Sequence, residues 1–243
     1  MDALADLGGE TWFRLGDRDL ATHLWRTEQL AKGATLSSVT SGLAERMDIA
    51  AQIHPMSDDP VRTTVHCDHV TLPFQRYFVE QRCEPAVSGF SFEGIASARP
   101  NARVLSLLEG ANCSAIVVCP SNPFVSIDPI LSLPGLWEAL RDNPAPVILV
   151  SPIVGGAAIK GPAAKMMAEL GMPVTAPGVA QHYGERYPGL LDYFVIDESD
   201  ATLAGAAEEL GLKVAVTPTI MKSRENKQRL ARFVMDIAEG QGP

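Results

Sequence analysis

Apolar residues in the C-terminal half of the chain cluster in four short runs that predict buried strands. Each run ends in small or polar residues, and the runs are residues 115–121, 147–152, 192–198 and 213–219. Near-continuous apolar runs of this length are typical of strands covered on both faces, as in parallel sheets. The pattern therefore predicts a parallel sheet whose strands end in polar loops.

Helical patterns separate these runs. Residues 161–170 have a proline at their second position and a glycine after their end, and residues 203–210 also stop before a glycine. Ser223 is a plausible N-cap for a last helix over residues 223–238. Strands that alternate with helices form βαβ units with right-handed crossovers. The predicted fold class is therefore α/β, a parallel sheet with flanking helices.

The N-terminal part of the chain has a different pattern. Helical spacing covers residues 19–30 and 36–47, and short strand-like runs follow at 51–54, 61–67 and 86–92. These runs predict a small antiparallel or irregular β insert beside the main sheet. We expect one α/β domain over residues 1–243, made of a helical segment (1–48), a β insert (49–100) and parallel βα units (101–243).

Composition narrows the classes of function. The chain has 46% hydrophobic residues, a formal net charge of −9 and a pI near 5.0. Nucleic-acid binding through a broad surface needs clustered cations, so we expect no nucleic-acid partner. No apolar run reaches the roughly 20 residues of a membrane span. The four cysteines show no C-x-x-C spacing, the chain start has no signal-peptide pattern, and we expect a cytoplasmic protein.

The ends of the predicted strands carry candidate binding residues. In open parallel sheets, ligands bind at the carboxyl ends of the strands, where Ser121 and Asn122 lie. The segment SPIVGGAAIKGPAAK follows a strand and opens a helix, and its Gly155, Gly156 and Lys160 could bind an anion. Its spacing does not match a Walker A loop. An ordinary strand-to-helix turn explains the segment equally well.

The stretch PMSDDPVRT is dense in charge and has two interpretations. Ser-Asp-Asp-Pro is common turn chemistry. Alternatively, Asp58 and Asp59 could bind Mg²⁺, since this ion is commonly held by one or two carboxylates and substrate phosphates. Arg62 and Thr63 would then face an anion, and Asp58, Asp59 and Arg62 would form the catalytic set.

The run LGDRDLATHLWRTE combines helix-start residues with one unexplained arginine. Asp17 could be an N-cap and Asp19 a first-turn acid, and either could complete the metal site if the fold brings the segments together. Arg18 is suited to bidentate contact with a phosphate or a planar polar group. His23 shares a helix face with Asp19 and is either a substrate contact or a packed or solvent-facing side chain.

Five motifs in order resemble one enzyme family. GDRDLATH, PMSDDPVRT, RCEP, PSNPFVSIDPILSLPG and SPIVGGAAIKGPAAKMMAELG together resemble the 2-phospho-L-lactate transferase family, which includes the bacterial phosphoenolpyruvate transferases of coenzyme F-420 biosynthesis. The resemblance runs from about Leu7 to the C-terminus. It implies a Rossmann-like sheet, a homodimer and a requirement for Mg²⁺.

The resemblance also implies a reaction. Family members transfer a phospholactyl or phosphoenolpyruvyl group from a guanosine-diphosphate-linked donor to the deazaflavin Fo, and GMP is released. The arginine of the GDRD motif, here Arg18, contacts Fo. Family members have a further βα portion before the equivalent of Gly8, so the resemblance implies a shortened chain with an incomplete donor site. The alternative function is a non-enzymatic regulator of the same superfamily that binds a nucleotide or nucleotide-sugar.

Overall fold

The structure, a computed structural model, describes residues 2–110 and 113–240. The described strands are β1 (Arg62–Cys67), β2 (Thr71–Pro73), β3 (Val87–Glu93), β4 (Ile116–Val118), β5 (Val147–Val150), β6 (Ile153–Val154), β7 (Ala157–Ala158), β8 (Tyr193–Ile196) and β9 (Lys213–Val216).

Helices precede, separate and follow these strands. They are α1 (Asp2–Asp6), α2 (Asp17–Ala31), α3 (Leu36–Arg46), α4 (Ala102–Glu109), α5 (Asp128–Leu131), α6 (Leu136–Arg141), α7 (Ala163–Glu169), α8 (Ala176–Arg186), α9 (Ala204–Glu208) and α10 (Arg224–Ala238). Short 3₁₀ turns cover Ile95–Ser97 and Glu198–Leu203, and π-helical turns cover Arg76–Glu80 and Pro123–Ile127. Among the described helices, none is long and apolar enough to cross a membrane.

The main sheet is parallel, with the strand order β4-β5-β8-β9. The pairs Ile116↔Val147, Ile148↔Tyr193 and Tyr193↔Lys213 set its register. Each of the four apolar runs in the C-terminal half contains one of these strands. Because helices flank the sheet, the α/β fold class predicted from the sequence is confirmed.

A second, antiparallel sheet has the order β2-β1-β3 and forms the predicted β insert. Its central strand pairs Thr64 with both Pro73 and Ser91. The prediction of a strand at residues 51–54 is wrong, because that segment forms a bend and irregular backbone. Ile53 stays 45% exposed there, so no buried face fixes the segment as a strand.

Two apolar clusters cover the faces of the main sheet. On one face, Val147 and Leu149 pack in a cluster that also takes in Val65 and Tyr77 from the antiparallel region. On the other face, alternate sheet residues pack with residues of α10, namely Ile148, Val150, Val195, Ala215, Leu230, Val234 and Ile237. Alternation along β5 explains this division, since successive strand residues point to opposite faces.

Two predicted helix starts have different outcomes. The Ser223 hydroxyl accepts a hydrogen bond from the Asn226 backbone N–H, and the Asn226 side chain accepts one from the Ser223 N–H, so Ser223 is confirmed as an N-cap. Asp17 is not an N-cap, because α2 begins at Asp17 itself and Gly16 occupies the cap position without a side-chain bond. Asp17 and Asp19 both lie in the first turn, where acids favour the helix dipole.

Candidate functional site

A crevice of about 610 Å³ lies beyond the carboxyl ends of strands β5 and β9, and its walls include loops that follow β4, β5 and β9. We call it the strand-end crevice. Its polar and charged lining side chains are Ser121, Asn122, Ser126, Ser151, Lys160, Thr219 and Lys227. Three of the predicted binding residues, Ser121, Asn122 and Lys160, therefore share one cavity.

The crevice also has an apolar wall. Phe74 and Phe78 lie in the wall with their rings stacked, at a centroid distance of 5.4 Å and an interplanar angle of 21°. Phe78, Ile159 and Met221 are partly exposed at 42%, 52% and 39%, respectively. An exposed aromatic face beside apolar side chains can bind a planar ring, whereas the hydroxyls and amines can bind polar groups.

Two lysines give the crevice positive charge. Neither Lys160 nor Lys227 forms an ion pair with a carboxylate within residues 2–110 and 113–240. Their charges are therefore available to an anionic ligand. Lys227 lies in the first turn of α10, where the helix dipole adds to the positive potential.

Asn122 lines the crevice, but its amide is largely committed to the backbone. Its Oδ1 accepts hydrogen bonds from the N–H groups of Phe124 (3.0 Å) and Val125 (3.3 Å), and its Nδ2 lies 3.2 Å from Met166 Sδ. Asn122 thus caps the π-helical turn that follows β4. The Ser121 hydroxyl, by contrast, has no hydrogen-bond partner among the described residues and is available to a ligand.

Gly155 and Gly156 form a hairpin turn, so the expected strand-to-helix turn is wrong. They join β6 to β7, which pair antiparallel, and their φ angles are +57° and +74°. Positive φ at both central residues is the requirement of a two-residue hairpin turn, which glycine meets without strain. Both Asp200 carboxylate oxygens accept the Gly155 N–H, at 2.9 and 3.1 Å. The two glycines do not line the crevice; Lys160 beyond the hairpin does.

A buried carboxylate at the end of β8 fixes one crevice loop. Asp197 accepts hydrogen bonds from the backbone N–H and hydroxyl of Thr219 (2.7 and 3.1 Å) and of Ser199 (3.1 and 2.9 Å). Burial would raise the pKa of Asp197, but these four bonds outweigh burial and hold the pKa below its usual value. Asp197 is therefore an ionised anchor for Thr219 in the crevice wall.

A second recess, of about 540 Å³, holds the charged residues of PMSDDPVRT. We call it the α2–α3 recess, because residues of α2 and α3 form one side of it and residues 55–62 the other. Arg26, Asp58, Asp59 and Arg62 line it. Among the described residues it shares no lining residue with the strand-end crevice.

Asp58 and Asp59 anchor the backbone of two other segments. Asp58 accepts hydrogen bonds from the N–H (2.6 Å) and the hydroxyl (3.0 Å) of Ser37, in the first turn of α3. Asp59 accepts one from the Arg99 N–H at 2.9 Å, and Ser57 donates its hydroxyl to the Arg99 carbonyl at 2.6 Å. The turn interpretation of PMSDDPVRT accounts for these contacts.

The proposed metal set is not assembled in the structure. Within residues 2–110 and 113–240, no group of three or more His, Cys, Asp or Glu side chains could hold a metal ion. Asp17, Asp58 and Asp59 therefore do not converge. Both oxygens of Asp58 and one oxygen of Asp59 already accept hydrogen bonds, so this donor set does not fit Mg²⁺.

Arg62 and Thr63 do not face the same site. They are consecutive in β1, so their side chains point to opposite faces of the strand. Arg62 lines the α2–α3 recess and is exposed, whereas Thr63 does not line it. The expectation that both residues face one anion is not met.

The charged start of α2 is exposed. Arg18, Asp19 and His23 are all solvent-facing, and none of them lines either cavity. The guanidinium of Arg18 has no hydrogen-bond or ion-pair partner within the described ranges. Trp25 on the same helix is only half-buried, with the Arg46 guanidinium 4.8 Å from its ring centroid.

Comparison with known proteins identifies the family. The family model described as "2-phospho-L-lactate transferase CofD" matches residues 4–233. The chain belongs to the CofD family. This confirms the family resemblance that the sequence motifs indicate.

Relatives in the CofD family have two names. The 2-phospho-L-lactate transferase of Methanosarcina acetivorans is 39% identical over 97% of this chain and 74% of its own length. The phosphoenolpyruvate transferase of Streptomyces griseus is 38% identical over 95% of this chain and 72% of its own length. Both names describe transferases of a phosphorylated three-carbon acid.

Solved structures agree on the fold. The crystal structure of protein BH3568 from Bacillus halodurans superposes with a TM-score of 0.67 at 12% sequence identity, covering 93% of this chain and 76% of that chain. A second structure, described as a member of the UPF0052 family, gives a TM-score of 0.62. At this identity the likeness supports the α/β fold and nothing about chemistry.

Proposed function

We propose that this chain transfers a phospholactyl or phosphoenolpyruvyl group from a guanosine-diphosphate-linked donor to the deazaflavin Fo, in the biosynthesis of coenzyme F-420. GMP is the leaving product. Membership of the CofD family and the names of its relatives support the transferase class. The choice of Fo, of the guanosine-linked donor and of GMP rests on the resemblance of the motifs.

The strand-end crevice is the observation that carries this proposal. Transfer at phosphorus needs positioned cations and hydrogen-bond donors more than it needs a covalent nucleophile. Lys160 and Lys227 supply charge, and the Ser121 hydroxyl supplies a donor in the loop after β4. The hydroxyls of Ser151 and Thr219 already donate to the Ile153 carbonyl and to Asp197, so they hold the crevice wall in place. We propose that the two lysines and Ser121 bind the phosphates of the donor.

The apolar wall of the same crevice suits a planar ring. Both guanine and a deazaflavin are flat and aromatic, and either could stack on the exposed face of Phe78. Arg18, Asp19 and His23 on α2 remain candidates for contacts to Fo. Asp58 and Asp59 shape the α2–α3 recess through their backbone bonds.

Mg²⁺ stays part of the proposal through the substrate. Because the carboxylates within residues 2–110 and 113–240 form no ligand set, we propose that oxygens of the donor phosphates hold most of the ion's coordination sites. Substitution of Asp58 or Asp59 by Ala should then leave the Mg²⁺ concentration for half-maximal activity within about twofold of wild type. A larger increase would assign one of these carboxylates to the ion.

Assembly as a homodimer is also proposed from the family resemblance. Sedimentation velocity of the purified chain measures the mass directly. A species near twice the 26.0 kDa chain mass supports the dimer, and a monomer at micromolar concentration contradicts it.

The test of the proposed function combines an assay with matched lysine variants. The chain is incubated with Fo, the guanosine-linked donor and Mg²⁺, and the phosphorylated product is measured by mass spectrometry. We expect Lys160→Ala and Lys227→Ala each to lower kcat/KM by roughly 10- to 100-fold, the loss of one charged contact.

Lys213→Ala is the control, because Lys213 lies at the start of β9, at the opposite end of the strand from the crevice. Its kcat/KM should stay within about twofold of wild type, as expected for an exposed residue away from the site. Activity that is unchanged in both crevice variants would show that the donor binds elsewhere.

A further inference from the structure

Two buried acids lie just beyond β8, outside the lining of the strand-end crevice. Asp197 is 7% exposed and Asp200 is 3% exposed. Asp197 is the N-cap of the 3₁₀ turn Glu198–Leu203, and Asp200 lies within that turn. One short segment therefore places two carboxylates behind the crevice wall, where burial requires each charge to have partners.

Each acid is bonded to a different crevice loop. Asp197 holds the connection between β9 and α10 through the N–H and hydroxyl of Thr219, at 2.7 and 3.1 Å. Thr219 and Met221 on this connection line the crevice.

Asp200 holds the β6–β7 hairpin through the Gly155 N–H, which donates to both carboxylate oxygens at 2.9 and 3.1 Å. The hairpin leads directly into Ile159 and Lys160 in the crevice wall. Charge-assisted bonds of this kind are about twice as strong as neutral ones. Within the described residues the hairpin has no other strand partner, since β6 and β7 pair only with each other.

We propose that Asp197 and Asp200 are positioning residues that set the spacing between the β9–α10 connection and the β6–β7 hairpin. This spacing in turn sets the affinity for the phosphorylated donor. The donor part rests on the proposed function. The carboxylates act through Thr219 and Gly155 and do not themselves contact the ligand.

The structure implies a crossed pattern of loop stability, which amide hydrogen exchange of the free chain can measure. Asp197→Asn should speed exchange roughly tenfold over residues 217–223 and leave residues 153–159 unchanged. Asp200→Asn should do the reverse. Glu198→Gln is the control, because Glu198 is an exposed acid between the two positions, and it should change neither segment.

Affinity for guanosine diphosphate, measured by isothermal titration calorimetry, tests the second half of the proposal. Each Asn variant should weaken binding about three- to tenfold, whereas Glu198→Gln should bind as wild type does. Thr219→Val, which removes one of the Asp197 bonds and keeps the carboxylate, should loosen residues 217–223 alone. This variant keeps the test decisive if Asp197→Asn folds poorly.

Three results would overturn the proposal. They are equal loosening of both loops in either Asn variant, no loosening in either, and the crossed pattern with unchanged guanosine diphosphate affinity. If wild type itself bound no guanosine diphosphate, the proposed function would fail and the donor role with it. The exchange data, which need no ligand, would still show whether the hydrogen bonds of the two carboxylates hold the loops.

Discussion

At the scale of single residues, Asp58 is better explained as a helix anchor than as a metal ligand. Its carboxylate accepts two hydrogen bonds from Ser37 in the first turn of α3, where negative charge also favours the helix dipole. We expect Asp58→Ala to lower the free energy of unfolding by about 1–3 kcal/mol, because it leaves the Ser37 N–H unpaired. Urea denaturation measures this change.

Glu45→Ala is the matched control for that variant. Glu45 is an exposed acid on the same helix, and alanine favours helices, so its stability should change by less than about 0.5 kcal/mol. A stable Asp58→Ala protein would show that the bonds to Ser37 contribute little. The Asp58 carboxylate would then be free for another role.

Asp197 gives a pH dependence whose sign can be worked out. Its hydrogen bonds outweigh burial and lower its pKa in the folded state, so folding favours the ionised form. The stabilisation is fully present above the unfolded pKa of about 4 and is lost as pH falls through the lower folded pKa. The difference in unfolding free energy between wild type and Asp197→Asn should therefore be largest at pH 7 and shrink below pH 4.

Urea denaturation across pH 7 to pH 3 measures that difference. A gap between wild type and Asp197→Asn that stays constant over this range would contradict the lowered pKa.

The sequence could predict which residues are charged here, but not what they bind. The partners of Asp58 and Asp59 lie 21 and 40 residues away, on α3 and beside Arg99. No local pattern encodes such contacts. Phe74, Phe78 and Lys227 were missed for the same reason, although extending the strand-end rule past β9 to the first turn of α10 would have found Lys227.

At the scale of elements, two glycines of α8 show opposite constraints. A Cβ on Gly178 would lie 2.2 Å from the Pro173 carbonyl oxygen, whereas a Cβ on Gly184 would meet nothing within 4 Å. Gly178→Ala should destabilise the protein by about 1–3 kcal/mol through overpacking. Gly184→Ala should stabilise it by roughly 0.5–1 kcal/mol, because alanine loses less entropy in a helix.

Thermal unfolding of both variants measures these effects, with each variant serving as the control for the other. Because the two positions lie on one helix, propensity alone predicts the same sign for both. A stabilised Gly178→Ala protein would mean that α8 can move away from Pro173 at little cost.

The secondary-structure elements could be predicted from the sequence where an apolar run or a helix cap marked them clearly. All four parallel strands and the last helix follow from apolar runs and a cap. The β6–β7 hairpin was missed, because its strands have two residues each and the Gly155-Gly156 signal was assigned to a helix start. Short elements depend on tertiary bonds, here the Asp200 contact, more than on pattern.

At the scale of the whole molecule, the two sheets share one apolar cluster. Val65 of the antiparallel sheet and Phe194 of the parallel sheet both belong to it and are fully buried. The Phe90 and Phe124 rings stack across the junction at 5.5 Å and 11°. A shared core makes independent unfolding of the β insert costly, since separation would expose these side chains to water.

We therefore expect the chain to unfold in one cooperative transition, as the prediction of a single domain requires. Val65→Ala and Val195→Ala should each lower the free energy of unfolding by about 2 kcal/mol. In scanning calorimetry, each variant should show a single peak at a lower temperature than wild type. These valines are both fully buried but lie on opposite faces of the main sheet. Val117 is 40% exposed, so Val117→Ala should lower the free energy of unfolding by less than about 0.5 kcal/mol and move the peak little. Two peaks, with Val65→Ala moving only one of them, would show that the β insert is a separate cooperative unit.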